Sequence, residues 1–211
     1  MSERFTRVFS LGENLYQQGS PIVLEAGDIV KENSTGKVWA RLKLRNIANR
    51  MIRAIQVRLM PCDMKGAPLP PVAHQYLDLK AGRNSVFGQG EIISLPDDCA
   101  CSFSVAELEV TFFNNTAWHS SGEWASVFTK KLLTDQLSNE LAEQYRRLVG
   151  RSAKYVPEDN QELWLCTCGA INGKEARACL TCDCKKNAIF ETLQIDTVQS
   201  LWRRPKQKTE P

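Results

Sequence analysis

The sequence has little of what most active sites and membrane spans require. Its 211 residues include two histidines, His74 and His119, and neither lies in a metalloprotease or hydrolase motif. No window approaches the roughly 20 apolar residues of a membrane-spanning helix. The formal net charge of +3 is too small to indicate binding to nucleic acid or to an anionic membrane by itself. These absences favour a protein that is not an enzyme and has no membrane span.

Two further signals are missing. The opening residues, MSERFTRVFSLGENLY, lack the apolar run of a signal peptide, so we expect a cytoplasmic protein whose thiols stay reduced. The segment GQGEIIS (88–94) has the glycines of a phosphate-binding loop, but it has no lysine and no following helix signal. We therefore do not predict a nucleotide site there.

What the chain does contain is enough apolar sequence for a core. Hydrophobic residues make up 43% and charged residues 24% of the chain, which is close to a globular average. A chain of this length fits one medium domain and one small domain.

Short segments of alternating polarity follow one another from residue 21 to residue 120. In VWARLKLRN (38–46) apolar residues alternate with charged ones, which is typical of a half-buried strand. IRAIQVRLM (52–60) repeats the pattern with a break in phase near Ala54, and we expect a hairpin between the two strands. Several such strands separated by turns predict an immunoglobulin- or fibronectin-like β-sandwich over 21–120.

The period changes in the segment 125–150, which we predict to contain an amphipathic helix. Steps of four, four, four and three residues place five side chains on one helical face: Leu133, Leu137, Leu141, Tyr145 and Leu148. Gly150 follows as a C-terminal cap, and Arg146 and Arg147 lie in the last turn, where they favour the helix dipole. This helix could pack on the sandwich or bind a partner.

The remaining segments are assigned by composition. Residues 1–20 form a polar lead, in which ENLYQQGS (13–20) resembles a protease site of expression tags with one residue changed; we treat it as natural sequence. Residues 151–162 read as a linker, 187–204 as a helical segment and 205–211 as a flexible tail. The last helix would be capped by Asp196 or Thr197, with an apolar face of Val198, Leu201 and Trp202.

Five of the eight cysteines fall in residues 163–186, and four of them form two close pairs. Cys166 and Cys168 are separated by one residue, Cys179 and Cys182 by two, with ten residues between the pairs. Four thiolates arranged in this way can surround one Zn²⁺ tetrahedrally, and such a closed shell predicts a structural rather than a catalytic ion.

Two questions about this cluster stay open at the level of sequence: which cysteine is the fourth ligand, and whether the site binds a metal. Cys184 could replace Cys182 as a ligand, although the two-residue spacing favours Cys182. Gly169 directly follows the first pair and would relieve its tight turn. A redox or disulfide site is the alternative to a metal site.

The motif W-L-C-T-C-G-A-I-N-G-K-E-A-R-A-C-L-T-C (164–182) resembles the Ran-binding-protein-type zinc finger, a four-cysteine zinc ribbon of two crossed hairpins. The resemblance implies that Trp164 packs beside the metal and that Asn172 braces the loop. The family has two or more residues between its first two cysteines, whereas this chain has one. The wider layout, from FSLGENLYQQGSPIVLEAG to the ribbon, resembles uncharacterised bacterial proteins with an N-terminal β-sandwich, a helix and a zinc ribbon.

Basic residues around the ribbon allow two interpretations. Lys174, Arg177, Lys185 and Lys186 are candidate nucleic-acid contacts, but they would also offset the charge of minus two on a tetrathiolate zinc site. The loop 169–178 has no aromatic residue on which a base could stack. We therefore predict a zinc-binding adaptor that docks a protein partner, with single-stranded RNA binding as the alternative.

Overall fold

The computed structural model describes residues 4–194, and the chain divides into two compact units, residues 1–127 and 128–211. The prediction of a mainly β protein, in which a four-cysteine cluster follows a helix, is confirmed: 41% of residues are in strands and 11% in helices. The predicted cap at Asp196 or Thr197, the apolar face of Val198, Leu201 and Trp202, and the tail 205–211 lie outside the described residues.

Two antiparallel sheets build the first unit. Its strands are β1 (Phe5–Ser10), β2 (Leu15–Tyr16), β3 (Ile22–Glu32), β4 (Val38–Asn46), β5 (Ile52–Cys62), β6 (Val72–Tyr76), β7 (Val86–Phe87), β8 (Ile93–Ser94), β9 (Ser102–Phe112), β10 (Ala117–His119) and β11 (Ala125–Ser126). One sheet has the order β11-β2-β3-β4-β7, with β1 also paired to β3 and β8 to β4. The other has the order β10-β9-β5-β6.

Alternation of polarity explains why the long strands form. In β4 every second residue from Val38 to Asn46 is buried, and the residues between them are half-buried. In β5 the break in phase near Ala54 corresponds to a β-bulge, because the register with β9 shifts between Ile52 and Ala54. Buried side chains from both sheets form a single apolar core, with Leu44, Ile55 and Val110 among its fully buried members.

The expected hairpin between β4 and β5 is wrong, because the two strands belong to different sheets. The chain crosses between the sheets at residues 47–51, next to the fully buried Asn46. The Asn46 amide donates to the carbonyl oxygens of Arg50, Ala81 and Gly82 at 2.8, 2.9 and 3.1 Å. These hydrogen bonds hold the chain where it passes from one sheet to the other. Hydrophobic periodicity in the sequence cannot predict them.

The lead segment, residues 1–20, contributes β1 and β2 to the first sheet. Asn14, Gln17 and Ser20 are buried within ENLYQQGS, and Tyr16 lies opposite Ala125 of β11. These residues therefore belong to the sandwich and do not merely precede it.

The second unit is small and mixed. It contains a short 3₁₀ helix (Leu133–Asp135), α1 (Asn139–Val149), β12 (Glu158–Asp159), β13 (Leu163–Leu165), β14 (Ile171–Gly173) and α2 (Lys186–Thr192). The three strands form an antiparallel sheet in the order β12-β13-β14. The helix predicted within 125–150 is shorter than its apolar stripe, because the Ser138 side chain accepts a hydrogen bond from the Leu141 amide and caps α1 there.

The segment 151–162 is more ordered than a linker. Ala153 and Val156 are buried beside Tyr145 of α1, and residues 158–159 form β12. Among the described residues, no helix combines the length and the apolar character needed to cross a membrane.

Candidate metal centre

The four paired cysteines converge on one point in the second unit. Their sulfur atoms all lie within 4.8 Å of one another. Between the two pairs, 3.5 Å separates the Sγ atoms of Cys166 and Cys182, and 3.6 Å separates those of Cys168 and Cys179. No disulfide is formed by any of these residues. The cluster could therefore hold a metal ion, as the spacing predicts.

The first pair is held by a tight turn that follows β13. The Gly169 amide donates to the carbonyl oxygen of Cys166 at 2.8 Å, and the Cys166 amide donates to that of Ala170 at 2.8 Å. Gly169 has φ +92°, and a Cβ atom there would lie 2.8 Å from Cε2 of Tyr155. Only glycine fits this position without displacing the Tyr155 ring.

Thr167, the single residue between the first two cysteines, is fully buried. Its carbonyl oxygen accepts hydrogen bonds from the amides of Lys154 and Tyr155, at 2.7 and 2.9 Å. The shortened turn is thus supported from outside by the segment that precedes β12.

A second turn holds Cys179 and Cys182. The Thr181 amide points at the Sγ atom of Cys179 at 3.4 Å, which stabilises negative charge on that sulfur. The Cys179 carbonyl accepts from the Asp183 amide at 2.9 Å, and Asp183 itself has φ +61°. The turn therefore directs both sulfur atoms to the same side.

Trp164 and Asn172 lie against this cluster on neighbouring strands. Trp164 is 0% exposed, packs with Cys166 and Cys179, and donates from Nε1 to the carbonyl of Ala176 at 3.1 Å. Asn172 Oδ1 accepts from the Leu180 amide at 2.9 Å, and its Nδ2 lies 3.8 Å from the Cys179 sulfur. The two residues are placed to position the second turn.

Cys184 stands beside the cluster and not within it. Its thiol donates to the carbonyl oxygen of Val149 at 3.1 Å, at the end of α1. Burial, followed by hydrogen bonding with Cys182, raises the pKa of the Cys184 thiol to about 11. The geometry therefore favours Cys182 over Cys184 as the fourth ligand.

The thiols of the cluster compete for negative charge. Hydrogen bonding from Cys166, and then from Cys168, lowers the pKa of the Cys179 thiol. Hydrogen bonding with Cys168 and Cys179, together with burial, raises the pKa of Cys166. A bound cation would offset the negative charge of thiolates held this close together.

The predicted basic residues are not equivalent. Lys174, Arg177 and Lys185 are exposed. Lys186 is half-buried, with its Nζ atom 2.5 Å from a carboxylate oxygen of Asp159 and 5.8 Å from the centre of the Trp164 ring. Lys186 is therefore paired with Asp159, whereas the other three basic side chains extend into solvent.

Tyr145 supports the centre from α1, a role that the sequence did not indicate. Its hydroxyl is buried and donates to the carbonyl oxygen of Ile189 in α2 at 2.9 Å, and burial raises its pKa. Ile189 in turn packs with Trp164 and the cysteines. The stripe of apolar residues predicted that Tyr145 is buried, but no sequence signal identifies its hydrogen-bond partner.

No protein-family model matches the chain, and neither the curated proteins nor the solved structures contain a significant match.

Proposed function

We propose that the chain is a zinc-stabilised, non-catalytic interaction protein. Cys166, Cys168, Cys179 and Cys182 would hold one structural Zn²⁺, and the two units would offer surfaces to a protein partner. The observation that supports this most strongly is the convergence of the four sulfur atoms within 4.8 Å of one another.

Zinc is the ion that this arrangement suits best. Zinc–thiolate bonds are about 2.3 Å long, so the sulfur atoms of a regular tetrahedral site lie about 3.8 Å apart. The Cys166–Cys182 and Cys168–Cys179 sulfur–sulfur distances, 3.5 and 3.6 Å, are close to that separation. Only small shifts would bring all four ligands to bonding distance.

A structural role follows from the number and the burial of the ligands. A catalytic zinc ion keeps one coordination position for water or substrate, whereas four thiolates fill a tetrahedral shell. Cys166 and Cys179 are 0% and 1% exposed, so their sulfur atoms are shielded from solvent as well. We infer that the ion stabilises the fold and takes no part in a reaction.

Resemblance to the Ran-binding-protein-type zinc finger is consistent with the positions of Trp164 and Asn172 beside the cluster. The one-residue gap between Cys166 and Cys168 remains a departure from that family. The pairing of Thr167 with Lys154 and Tyr155 offers a physical reason why the shorter turn can be stable here.

The burial of Trp164 favours a protein partner over single-stranded RNA. Trp164 is 0% exposed and cannot stack on a base, and the loop 169–178 offers no other ring. In the first unit β6 and β10 end the four-stranded sheet, and such terminal strands can pair with an extended segment of a partner.

Native mass spectrometry combined with elemental analysis tests the metal assignment. We expect one zinc per chain, retained in Cys184→Ser and lost in Cys182→Ser. Loss of zinc in Cys184→Ser with retention in Cys182→Ser would reverse the ligand assignment, and a wild-type chain without zinc would overturn the proposal.

Affinity capture tests the docking role. A partner that needs the metal-bound unit should be captured by the wild type and by Cys99→Ser, whose thiol is exposed in the first unit, but not by Cys179→Ser. Salt-dependent binding to single-stranded RNA that weakens in Lys174→Ala and Arg177→Ala would favour the alternative function.

A further inference from the structure

A second group of polar side chains meets in the first unit, between β6 and the turn formed by residues 88–91. His74 and Tyr76 are two residues apart in β6, so they share one face of the strand. Their rings pack edge to face, with 4.6 Å between the ring centres and 81° between the ring planes. Glu91, from the turn, lies beside them. None of these residues has a role in the cysteine cluster.

Two atoms of this group are buried without a hydrogen-bond partner among the described residues. They are Nε2 of His74 and the hydroxyl oxygen of Tyr76. Tyr76 is 0% exposed and belongs to the apolar core of the sandwich. Buried polar atoms are rarely unpaired in a stable protein, so each of the two indicates a missing partner such as an ion or an ordered water.

The turn is held close to the Tyr76 hydroxyl by its backbone. The Glu91 amide donates to the carbonyl oxygen of Gly88 at 3.1 Å and closes the turn. Gly88 has φ +82°, and a Cβ atom there would lie 2.9 Å from the carbonyl oxygen of Leu42 and 3.4 Å from Cζ of Tyr76. Glycine at this position brings the turn down onto the phenol end of the ring.

The distance between His74 and Glu91 distinguishes between the two kinds of missing partner. His74 Nε2 and Glu91 Oε2 are 3.4 Å apart, but Nε2 does not donate to this oxygen in hydrogen-bond geometry. An atom about 2.1 Å from both, the length of a metal–imidazole or metal–carboxylate bond, would subtend an angle of about 108°, close to tetrahedral. A water about 2.8 Å from both would subtend only about 75°. The geometry favours an ion.

We propose that His74 Nε2 and the Glu91 carboxylate bind one divalent transition-metal ion, with the Tyr76 hydroxyl hydrogen-bonded to a water on that ion. Imidazole and carboxylate together suit Zn²⁺, Co²⁺, Ni²⁺ and Cu²⁺. The site differs from the cysteine cluster in chemistry, because it offers two protein ligands and leaves positions open to water. The Glu91 side chain is 53% exposed, so an ion from solution would reach the site through this carboxylate.

The chain contains its own control for this site. The other histidine, His119, also has a glutamate nearby, with 3.6 Å between its Nδ1 atom and a carboxylate oxygen of Glu109. The side chains of His119 and Glu109 are 67% and 41% exposed, and within the described part of the chain neither is among the buried polar groups that lack a partner. This pair should not hold an ion tightly.

Calorimetric titration of the zinc-loaded full chain with Co²⁺ tests the proposal. We expect one equivalent of Co²⁺ to bind beyond the zinc already present, with the zinc content of the same sample unchanged. Binding should be lost in His74→Gln and in Glu91→Gln, and retained in His119→Gln. Tyr76→Phe should weaken the affinity by about 10-fold, the scale typical of groups that orient a metal ligand.

Magnetic resonance provides a second readout that needs no substitution. Because the chain has only two histidines, two sets of imidazole resonances are expected. Paramagnetic Co²⁺ should broaden the resonances of His74 and leave those of His119 sharp. Absence of a second equivalent, equal broadening of both histidines, or loss of binding in His119→Gln would overturn the proposal.

Discussion

The two units of this protein reach stability in different ways. In the first unit 21 buried residues form one apolar core between two sheets. The described residues of the second unit include two smaller clusters of six and five buried residues, and two cysteines are part of the smaller one. A small unit buries too little apolar surface to offset its loss of conformational entropy, so a bound ion can supply what the core lacks.

If the cysteine cluster binds its ion as we propose, this difference shows that a single chain need not use one source of stability throughout. The cysteines of the two units are arranged differently. Among the described residues, the three cysteines of the first unit belong to no group of four, whereas the five of the second unit lie in or beside the cluster. If this division holds, each unit should respond to its own perturbation.

The largest effect is expected from removal of the metal. Structural zinc contributes on the order of 10–16 kcal/mol in zinc-finger peptides, so a chelator should unfold the second unit. Hydrogen exchange should become fast at the Trp164 and Asn172 amides, while the amides of β4 and β5 stay protected. A chain that loses protection throughout would show that the units do not fold separately.

Next in size is a cavity in the sandwich core. Leu44 is 0% exposed, and Leu44→Ala should lower the free energy of unfolding of the first unit by about 2–5 kcal/mol. Zinc content should stay at the wild-type value, because this core holds none of the four clustered cysteines. Denaturant titration gives the first quantity and elemental analysis the second. Leu77→Ala, at a site 62% exposed, is the control and should change stability by less than about 0.5 kcal/mol.

A smaller effect is expected at the first cysteine turn. Gly169→Ala forces a left-handed backbone onto alanine and brings its Cβ atom into Tyr155, so it should destabilise the second unit by about 1–3 kcal/mol. Competition with a chromophoric zinc chelator should report the corresponding loss of zinc affinity. Gly82→Ala, where a Cβ atom would meet only the Ser85 Oγ atom at 4.0 Å, should leave zinc affinity unchanged.

The smallest effect concerns acid, and it should be confined to the first unit. Burial opposes ionisation of Glu25, but hydrogen bonds from Arg45 and Lys43 outweigh it and hold the pKa of this carboxyl below its ordinary value. Because the folded pKa is lower than the unfolded one, the contribution is complete above the unfolded pKa of about 4.3 and is lost as pH falls through the folded pKa.

Comparison of the wild type with Glu25→Gln across this pH range isolates that contribution. The wild type should be the more stable protein near neutral pH, and the difference in unfolding free energy should shrink on acidification. A difference that grows as the pH falls would contradict the sign.

Much of the architecture could be read from local patterns. Alternation predicted the strands of the sandwich, since a half-buried strand repeats every two residues, and spacing predicted the cluster of four cysteines because both turns are local. Which strand pairs with which could not be predicted from the sequence. The crossing after Asn46 depends on carbonyl groups of Ala81 and Gly82, which are distant in sequence.

Other features were hidden for related reasons. The apolar stripe begins before α1 does. Leu133 and Leu137 are buried in the segment that precedes the helix, so they belong to the stripe but not to α1. The site around His74 unites a strand with a turn more than ten residues later. Glu91 lies in the segment whose glycines suggested only a weak phosphate loop.

The shortened turn at Thr167 determines which residues must accompany the cysteine cluster if it is transferred to another protein. Because its carbonyl group is satisfied by the amides of Lys154 and Tyr155, a peptide excised at residue 163 would leave that oxygen without its protein donors and would lose the ring that covers Gly169. A graft of this ribbon into another protein must therefore carry the upstream residues with it. The smallest transferable segment therefore begins at the amides that donate to the Thr167 carbonyl oxygen, and not at the first cysteine.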